Sequence, residues 1–141
     1  MSTTALDTNV LIDLLSRADS EERRRAAQVL SEAVKHGPLT VCAIVHAELC
    51  AHPRSSPGEV DRFLDDLRIK IDWSLSESIW RLSGLKFGEY ANRRRRSSST
   101  QPRRLIADFI IGAHAMATGS LATRDAAFYR RAFPDLTIIE V

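Results

Sequence analysis

The feature that most constrains the fold of this 141-residue chain is the alternation of short apolar, β-prone segments with longer segments of helical periodicity. Because right-handed crossovers place a helix between parallel strands, this alternation predicts an α/β fold with three layers, α/β/α, and a mainly parallel central sheet. We expect one domain over residues 1–141. The predicted strands are 3–6, 39–43, 69–73, 121–123 and 136–141, and the predicted helices are 10–15, 20–36, 44–51, 57–67, 76–87, 103–118 and a short one near Phe128.

The composition and the apolar runs of the sequence limit the classes of protein to which this chain can belong. Hydrophobic residues make up 44% of the chain, and 20 basic against 18 acidic residues give a net charge of +2, so a core of ordinary size is expected. No apolar run approaches the roughly 18 residues that a transmembrane helix needs. Asp7 lies too early for the apolar segment of a signal peptide. Cys42 and Cys50 are too few for a disulfide framework and are expected to be thiols. We therefore expect a cytoplasmic protein without a membrane segment.

Six arginines lie between residues 93 and 104. The segment from Arg93 to Pro102 has no periodicity, which predicts an exposed Arg/Ser-rich loop over about 92–102. Concentrated bases attract the phosphates of a nucleic acid, although a run of like charges is also common in a solvated loop. The candidates for nucleic-acid contact are Arg93, Arg94, Arg95, Arg96 and Arg103.

Two aspartates lie in apolar surroundings. Asp7 follows the first predicted strand, where it is either the cap of the next helix or a metal ligand. Asp108 lies within a segment that is apolar almost all round, which predicts a buried helix. A lone buried carboxylate protonates, pairs with a base or coordinates a cation. The ordinary alternative for Asp108 is an ion pair with Arg104, one turn earlier.

Two further acids are expected at the same edge of the sheet. Glu48 lies in a short helix just after a strand, and Asp125 lies just past the strand at 121–123, where it is alternatively a helix cap. Ligands of parallel sheets bind beyond the carboxyl ends of the strands, so the four acids together predict an oxygen-ligand site of the kind that Mg²⁺ prefers. In the mechanism that this site suggests, Asp7 and Asp108 hold the ion, while Glu48 or Asp125 orients an attacking water.

Four segments of the sequence together resemble those of one nuclease family. They are Leu6-Asp7-Thr8-Asn9-Val10-Leu11-Ile12, Ala47-Glu48-Leu49, Ala107-Asp108-Phe109-Ile110-Ile111-Gly112-Ala113-His114-Ala115 and Thr123-Arg124-Asp125. In order and spacing they resemble the PIN-domain ribonucleases, specifically the VapC-type toxins of toxin–antitoxin systems, over nearly the whole chain.

The resemblance implies a PIN-like α/β/α fold and RNA cleavage that depends on Mg²⁺ or Mn²⁺. It also implies a homodimer and a cognate VapB-type antitoxin whose C-terminal segment blocks the acidic groove. The residues that match the acidic quartet of the family are Asp7, Glu48, Asp108 and Asp125, and those that match supporting polar positions are Thr8, Asn9 and Thr123. With RNA as the implied substrate, the arginine-rich loop becomes a candidate RNA-contacting segment.

Other interpretations remain open at this stage. One is a zinc site formed by Cys42, His46, Cys50 and His52, although their spacing matches no common zinc motif. A second is phosphoryl transfer with Asp7 as a covalent nucleophile, and a third is a non-catalytic RNA- or partner-binding module on the same fold. We expect Trp73 and Trp80 to pack in the core rather than to form a partner groove.

Overall fold

The computed structural model describes residues 2–16, 18–53 and 55–141, and within them five strands and seven helices alternate. The strands are β1 (Thr3–Leu6), β2 (Leu39–Cys42), β3 (Ile69–Asp72), β4 (Gly119–Thr123) and β5 (Thr137–Glu140). The helices are α1 (Thr8–Leu15), α2 (Glu21–His36), α3 (Ala43–Cys50), α4 (Pro57–Asp66), α5 (Glu77–Arg95), α6 (Ile106–Thr118) and α7 (Ala126–Ala132).

The five strands form one sheet in the order β3-β2-β1-β4-β5, and every pairing is parallel. The chain builds the sheet outwards from β1 to β3 and then returns to the other side of β1 for β4 and β5. Because such crossovers are right-handed, α1–α4 cover one face and α5–α7 the other. The predicted three-layer fold with a parallel sheet is confirmed. The connections from β1 and β4 leave in opposite directions, which opens a crevice at the carboxyl ends of these neighbouring strands.

The core is centred on β1, β2, β4 and α6. Residues 4–6, 39–42 and 120–123 are buried, and α6 is buried from Ala107 to Ala115 except at Asp108, as its apolar sequence predicted. The ring of Phe109 packs between α5 and α7, with its centroid 5.1 Å from that of Phe87 and 5.4 Å from that of Phe128. This packing fixes the helix that carries Asp108 against both of its neighbours.

Local signals in the sequence account for the helix boundaries. The Oγ atoms of Ser20 and Ser76 accept hydrogen bonds from main-chain N–H groups three residues later, as expected of N-caps. Helix α6 ends at Thr118 and is followed by Gly119, whose φ of 153° favours glycine. A β-carbon at this position would lie 2.5 Å from the carbonyl oxygen of Thr3, so glycine also lets β4 approach β1 closely.

Two expectations about the middle of the chain were wrong. The predicted loop over about 92–102 begins later, because α5 continues through Arg93 and Arg94 to Arg95. Arginine is a good helix former, and its charge is favourable in the last turn of a helix, so the lack of apolar periodicity hid these turns.

The second correction concerns the tryptophans. The side chains of Trp73 and Trp80 are not in the core, since the two residues are 63% and 53% exposed. Strand β3 ends at Asp72, so Trp73 falls outside it, where its ring makes an edge contact with His46 at 4.9 Å between centroids. No helix in the described part of the chain has the length and apolar character needed to cross a membrane.

Candidate active site

The carboxyl edge of the sheet gathers the four predicted acids from distant parts of the chain. Asp7 directly follows β1, and Asp125 lies two residues beyond β4. Glu48 is in α3, which begins immediately after β2, and Asp108 is in the first turn of α6. Helices α3 and α6 contact each other, although they approach the sheet from opposite sides. The fold therefore brings these carboxylates close enough to influence one another electrostatically.

Asp7 is held by neutral donors. Its Oδ1 atom accepts a hydrogen bond of 2.8 Å from the main-chain N–H of Thr8. Its Oδ2 atom accepts hydrogen bonds from the hydroxyl of Thr123 at 2.7 Å and from the side-chain amide of Asn9 at 3.2 Å. Asp7 is therefore the N-cap of α1, which was one of its two predicted roles. It also points into the acidic cluster, so the cap and a ligand role are compatible.

Burial dominates the titration of Asp7. The residue is only 6% exposed, and loss of hydration raises the pKa of its carboxyl from 3.8 to about 6. The hydrogen bond from Thr123 opposes this rise, whereas the negative charges of Asp108 and Glu48 add to it. Among the described residues, no positive charge lowers the pKa of Asp7, and a bound cation would lower it.

Glu48 is linked to Asp7 through Thr8. The hydroxyl of Thr8 donates a 2.6 Å hydrogen bond to Oε1 of Glu48, while the N–H of the same residue bonds to Asp7. Within the described residues, Glu48 accepts no other hydrogen bond. One oxygen of this half-buried carboxylate therefore remains available to a ligand.

Asp108 and Asp125 share a guanidinium group. Arg104 makes a two-point contact with Asp125, a short Nη1–Oδ2 bond and an Nη2–Oδ1 bond of 3.3 Å. Its Nη1 atom is also 3.9 Å from Oδ2 of Asp108. The anticipated pair between Arg104 and Asp108 is therefore present, but the closer contacts go to Asp125. Burial raises the pKa of Asp108, Arg104 lowers it, and the charges of Glu48 and Asp125 raise it.

Arg104 is itself fixed from two sides. Its main-chain N–H donates a 2.8 Å hydrogen bond to the hydroxyl of Tyr90, and its guanidinium lies 4.1 Å from the ring centroid of Phe128. Sequence reasoning considered Arg104 only as a partner of Asp108 and missed its contact with Asp125. The two residues are 21 positions apart, so no helical spacing could reveal this contact.

The three predicted supporting residues contact the acids. Thr123 is completely buried, and its hydroxyl donates to Asp7 while it accepts a 2.9 Å hydrogen bond from the N–H of Asp125. The side-chain oxygen of Asn9 accepts a 3.2 Å bond from the N–H of Arg124. Thr8 and Asn9 at the end of β1 are thereby joined to the residues that follow β4. Asp125 occupies the N-cap position of α7, but its side chain makes no capping bond.

The arginine candidates separate into two groups. Arg93 and Arg94 line a cavity of about 440 Å³ beside Asp125. The other predicted residues, Arg95, Arg96 and Arg103, are exposed and do not line it. Sequence analysis missed a further lining residue, Arg131, because α7 was too short to show a periodic pattern.

The donor set suits a hard divalent cation. All four acids offer carboxylate oxygens, which Mg²⁺ and Mn²⁺ prefer, and no thiol or imidazole is among them. Among the described residues, no group of three or more His, Cys, Asp or Glu side chains is arranged to hold a metal ion. The four acids therefore do not form a preassembled set of metal ligands. A pair of them is the most that this geometry offers to Mg²⁺, which commonly binds one or two carboxylates and keeps several waters. The same result gives no support to zinc bound by Cys42, His46, Cys50 and His52.

Carboxylates at the switch point of a parallel α/β sheet define a class of protein, an open α/β domain with an acidic site at the carboxyl ends of its strands. The family comparison identifies the family within this class. The model of the PIN domain family matches residues 4–134, so the chain belongs to that family. PIN domains are generally nucleases that depend on a divalent metal. The comparison with curated proteins found no match.

Solved structures show the same fold. VapBC-1 from nontypeable Haemophilus influenzae is 21% identical with a TM-score of 0.64, and the match covers 98% of this chain and 97% of that one. VapBC2 from Rickettsia felis, bound to a DNA fragment from its promoter, is 19% identical with a TM-score of 0.59 and 98% coverage of both chains. FitAcB from Neisseria gonorrhoeae is 21% identical with a TM-score of 0.65 and coverages of 97% and 96%.

Proposed function

We propose that this protein is a metal-dependent endoribonuclease and the toxin of a VapBC-type toxin–antitoxin pair. The observation that carries the proposal is the convergence of four acids on one edge of the sheet, where burial and mutual charge raise the pKa of Asp7 to about 6. A structural cluster of this kind would be destabilising by itself. A bound cation would offset the repulsion between the carboxylates, which would account for such a cluster in a folded protein.

Asp7 and Asp108 are the proposed ligands of Mg²⁺ or Mn²⁺. Burial raises the pKa of both carboxyls, and the charge of Asp108 raises the pKa of Asp7 further, so a cation between them would relieve burial and repulsion together. When bound, the ion would polarise the scissile phosphate and stabilise the charge on the leaving oxygen. Thr8, Asn9 and Thr123 hold Asp7 in one orientation through their hydrogen bonds.

Glu48 is the proposed general base. Both oxygens of Asp125 are hydrogen-bonded to Arg104, so this carboxylate is less accessible to a water than that of Glu48. Glu48 receives only one hydrogen bond from the described residues, donated by Thr8. Its second oxygen is free to orient the attacking water and to take its proton. Asp125 would serve instead to position Arg104 next to the phosphate.

The proposed partners are RNA, a VapB-type antitoxin and a second copy of the chain. Two of the similar structures are VapBC assemblies and the third is FitAcB, which makes a toxin–antitoxin complex the natural hypothesis. The exposed tryptophans Trp73 and Trp80 are apolar surface of the kind that protein partners cover. Light scattering of the purified chain tests the homodimer. Inhibition of cleavage by a VapB-type protein encoded beside it tests the antitoxin.

The nuclease is tested by incubating purified protein with RNA in Mg²⁺, Mn²⁺ or EDTA. Variants Asp7→Asn and Asp108→Asn remove one charge each from the site. Asp66→Asn is the matched control, because Asp66 is an exposed residue at the end of α4. We expect cleavage by the wild type and Asp66→Asn in either metal. Asp7→Asn, Asp108→Asn and every sample in EDTA should be inactive.

Cleavage that persists in EDTA or in both site variants would contradict the metal site. A non-catalytic binding module would bind RNA in all samples and cleave none. Equal loss of activity in Asp66→Asn would show that the substitutions act through general charge rather than through the site.

A further inference from the structure

The cavity beside Asp125 lies where the last turn of α5, the loop that follows it and α7 meet. Its volume of about 440 Å³ is within the roughly 300–1,000 Å³ that is usual for ligand sites. One acid, Asp125, is at its wall. Four arginines also line it, namely Arg93, Arg94, Arg104 and Arg131. The cavity is therefore strongly positive next to an acidic site, which favours an anionic ligand.

Two of the four arginines are already engaged. Arg94 donates hydrogen bonds to the carbonyl oxygens of Gln101 and Pro102, which holds the loop to α5. Arg104 pairs with Asp125. In contrast, the side chains of Arg93 and Arg131 make no hydrogen bond or ion pair with any other described residue. Each therefore keeps a guanidinium that can bind a phosphate oxygen pair.

The cavity also contains flat surfaces. The guanidinium of Arg104 is stacked against the ring of Phe128, and both residues line the cavity wall. Tyr90 lines it too, and its hydroxyl already bonds to the main chain of Arg104. Arginine planes and aromatic rings are the surfaces on which proteins stack unpaired bases. A cavity for phosphate alone would not need them.

We propose that this cavity is a subsite for one unpaired nucleotide of the RNA, adjacent to the bond that is cut. Arg93 and Arg131 bind a phosphate of that nucleotide, and the stacked Arg104 and Phe128 contact its base. This inference rests on the proposed ribonuclease activity and adds a nucleotide-binding site to it. In a duplex the faces of the bases are covered by their neighbours, so the cavity selects single-stranded RNA.

The test compares two double variants with the same net charge. Arg93→Ala with Arg131→Ala removes the free arginines of the cavity. Arg23→Ala with Arg62→Ala removes two exposed arginines on other helices, which do not line the cavity and whose side chains make no hydrogen bond or ion pair with another described residue. Binding of a labelled single-stranded RNA and of the same sequence as a duplex is measured by fluorescence anisotropy in EDTA, over a range of salt concentrations. EDTA separates this measurement from cleavage, so an inactive enzyme would refute the proposed function without deciding the subsite.

We expect the cavity variant to bind single-stranded RNA at least tenfold more weakly than the wild type. Its plot of log affinity against log salt concentration should be shallower by about 0.7, which corresponds to one phosphate that is no longer neutralised on a single strand. The control variant should lose less than threefold. Duplex RNA should bind the wild type more weakly than the single strand. Equal losses in both double variants, or equal affinity for duplex and single strand, would overturn the proposal. An unchanged affinity of the cavity variant would also overturn it and point to an acidic protein segment as the occupant.

Discussion

The raised pKa of Asp7 predicts that this carboxylate lowers the free energy of unfolding of the metal-free protein at neutral pH. The pKa of the Asp7 carboxyl is about 6 in the folded protein against a usual value of 3.8. Between these two values the folded state binds more protons than the unfolded state, so the free energy of unfolding falls as pH rises. At 1.36 kcal/mol per pH unit, the penalty at pH 7.5 is about 3 kcal/mol, and it is absent below the unfolded pKa.

Asp7→Asn should remove this penalty. The hydrogen bonds that the substitution breaks should cost less free energy than the penalty itself. The amide oxygen of asparagine can still accept the hydrogen bond from the N–H of Thr8. Its NH₂ group would instead face the hydroxyl of Thr123 and the amide of Asn9, both of which donate to Asp7 in the wild type. Losing these two bonds costs about 1 kcal/mol each. The variant should therefore be about 1 kcal/mol more stable than the wild type at pH 7.5.

Urea denaturation in EDTA at pH 4.5, 6 and 7.5 measures this difference. The signal should be far-UV circular dichroism, because Trp73 and Trp80 are exposed and their fluorescence would report unfolding poorly. The advantage of Asp7→Asn should shrink steadily towards pH 4.5, and Asp66→Asn should show no such trend. Addition of Mg²⁺ should stabilise the wild type and not Asp7→Asn. If Asp7→Asn is less stable than the wild type at pH 7.5, the reasoning from burial is refuted.

Two further predictions concern groups that position the acids. Gly112→Ala in α6 should destabilise the protein by about 1–3 kcal/mol in urea denaturation, because its β-carbon would lie 2.3 Å from the buried ring of Phe133. Gly84→Ala in α5, with no atom within 4 Å, should instead add about 0.5–1 kcal/mol, and equal effects would contradict the packing. Thr123→Val removes a bond that lowers the pKa of Asp7, so the acid limb of the pH–rate profile should move to higher pH, whereas Thr123→Ser should leave it in place.

Much of the fold was predictable because periodicity reports burial. The strands and helices of the parallel sheet follow directly from the alternation of apolar segments, and their order then requires the acids after β1 and β4 to lie at one edge. Asp108 was recognisable as a charge in a buried helix because eight other residues of α6 are buried and nearly all of them are apolar, although the Asp108 side chain itself is 29% exposed. These signals are local or follow from topology.

The parts that were missed depend on contacts between distant residues. Nothing near Arg104 indicates that its guanidinium binds Asp125, since that contact is set by the packing of α6 against α7 through Phe109 and Phe128. The end of α5 was misplaced because arginines carry no hydrophobic period. Trp73 was misassigned because apolar character does not by itself decide burial.

The contacts also divide the four acids in a way that the sequence did not suggest. Asp7 and Glu48 are joined by Thr8, a neutral residue, whereas Asp108 and Asp125 are joined by the cation Arg104. Within the part of the chain that the structure describes, positive charge therefore compensates only the Asp108 and Asp125 side of the cluster. The other side retains unbalanced negative charge at its most buried carboxyl, which is where the pKa is raised to about 6. A divalent ion would neutralise this charge. Substitution of Asp7 should therefore reduce the stabilisation of the protein by metal more than substitution of Asp125 does.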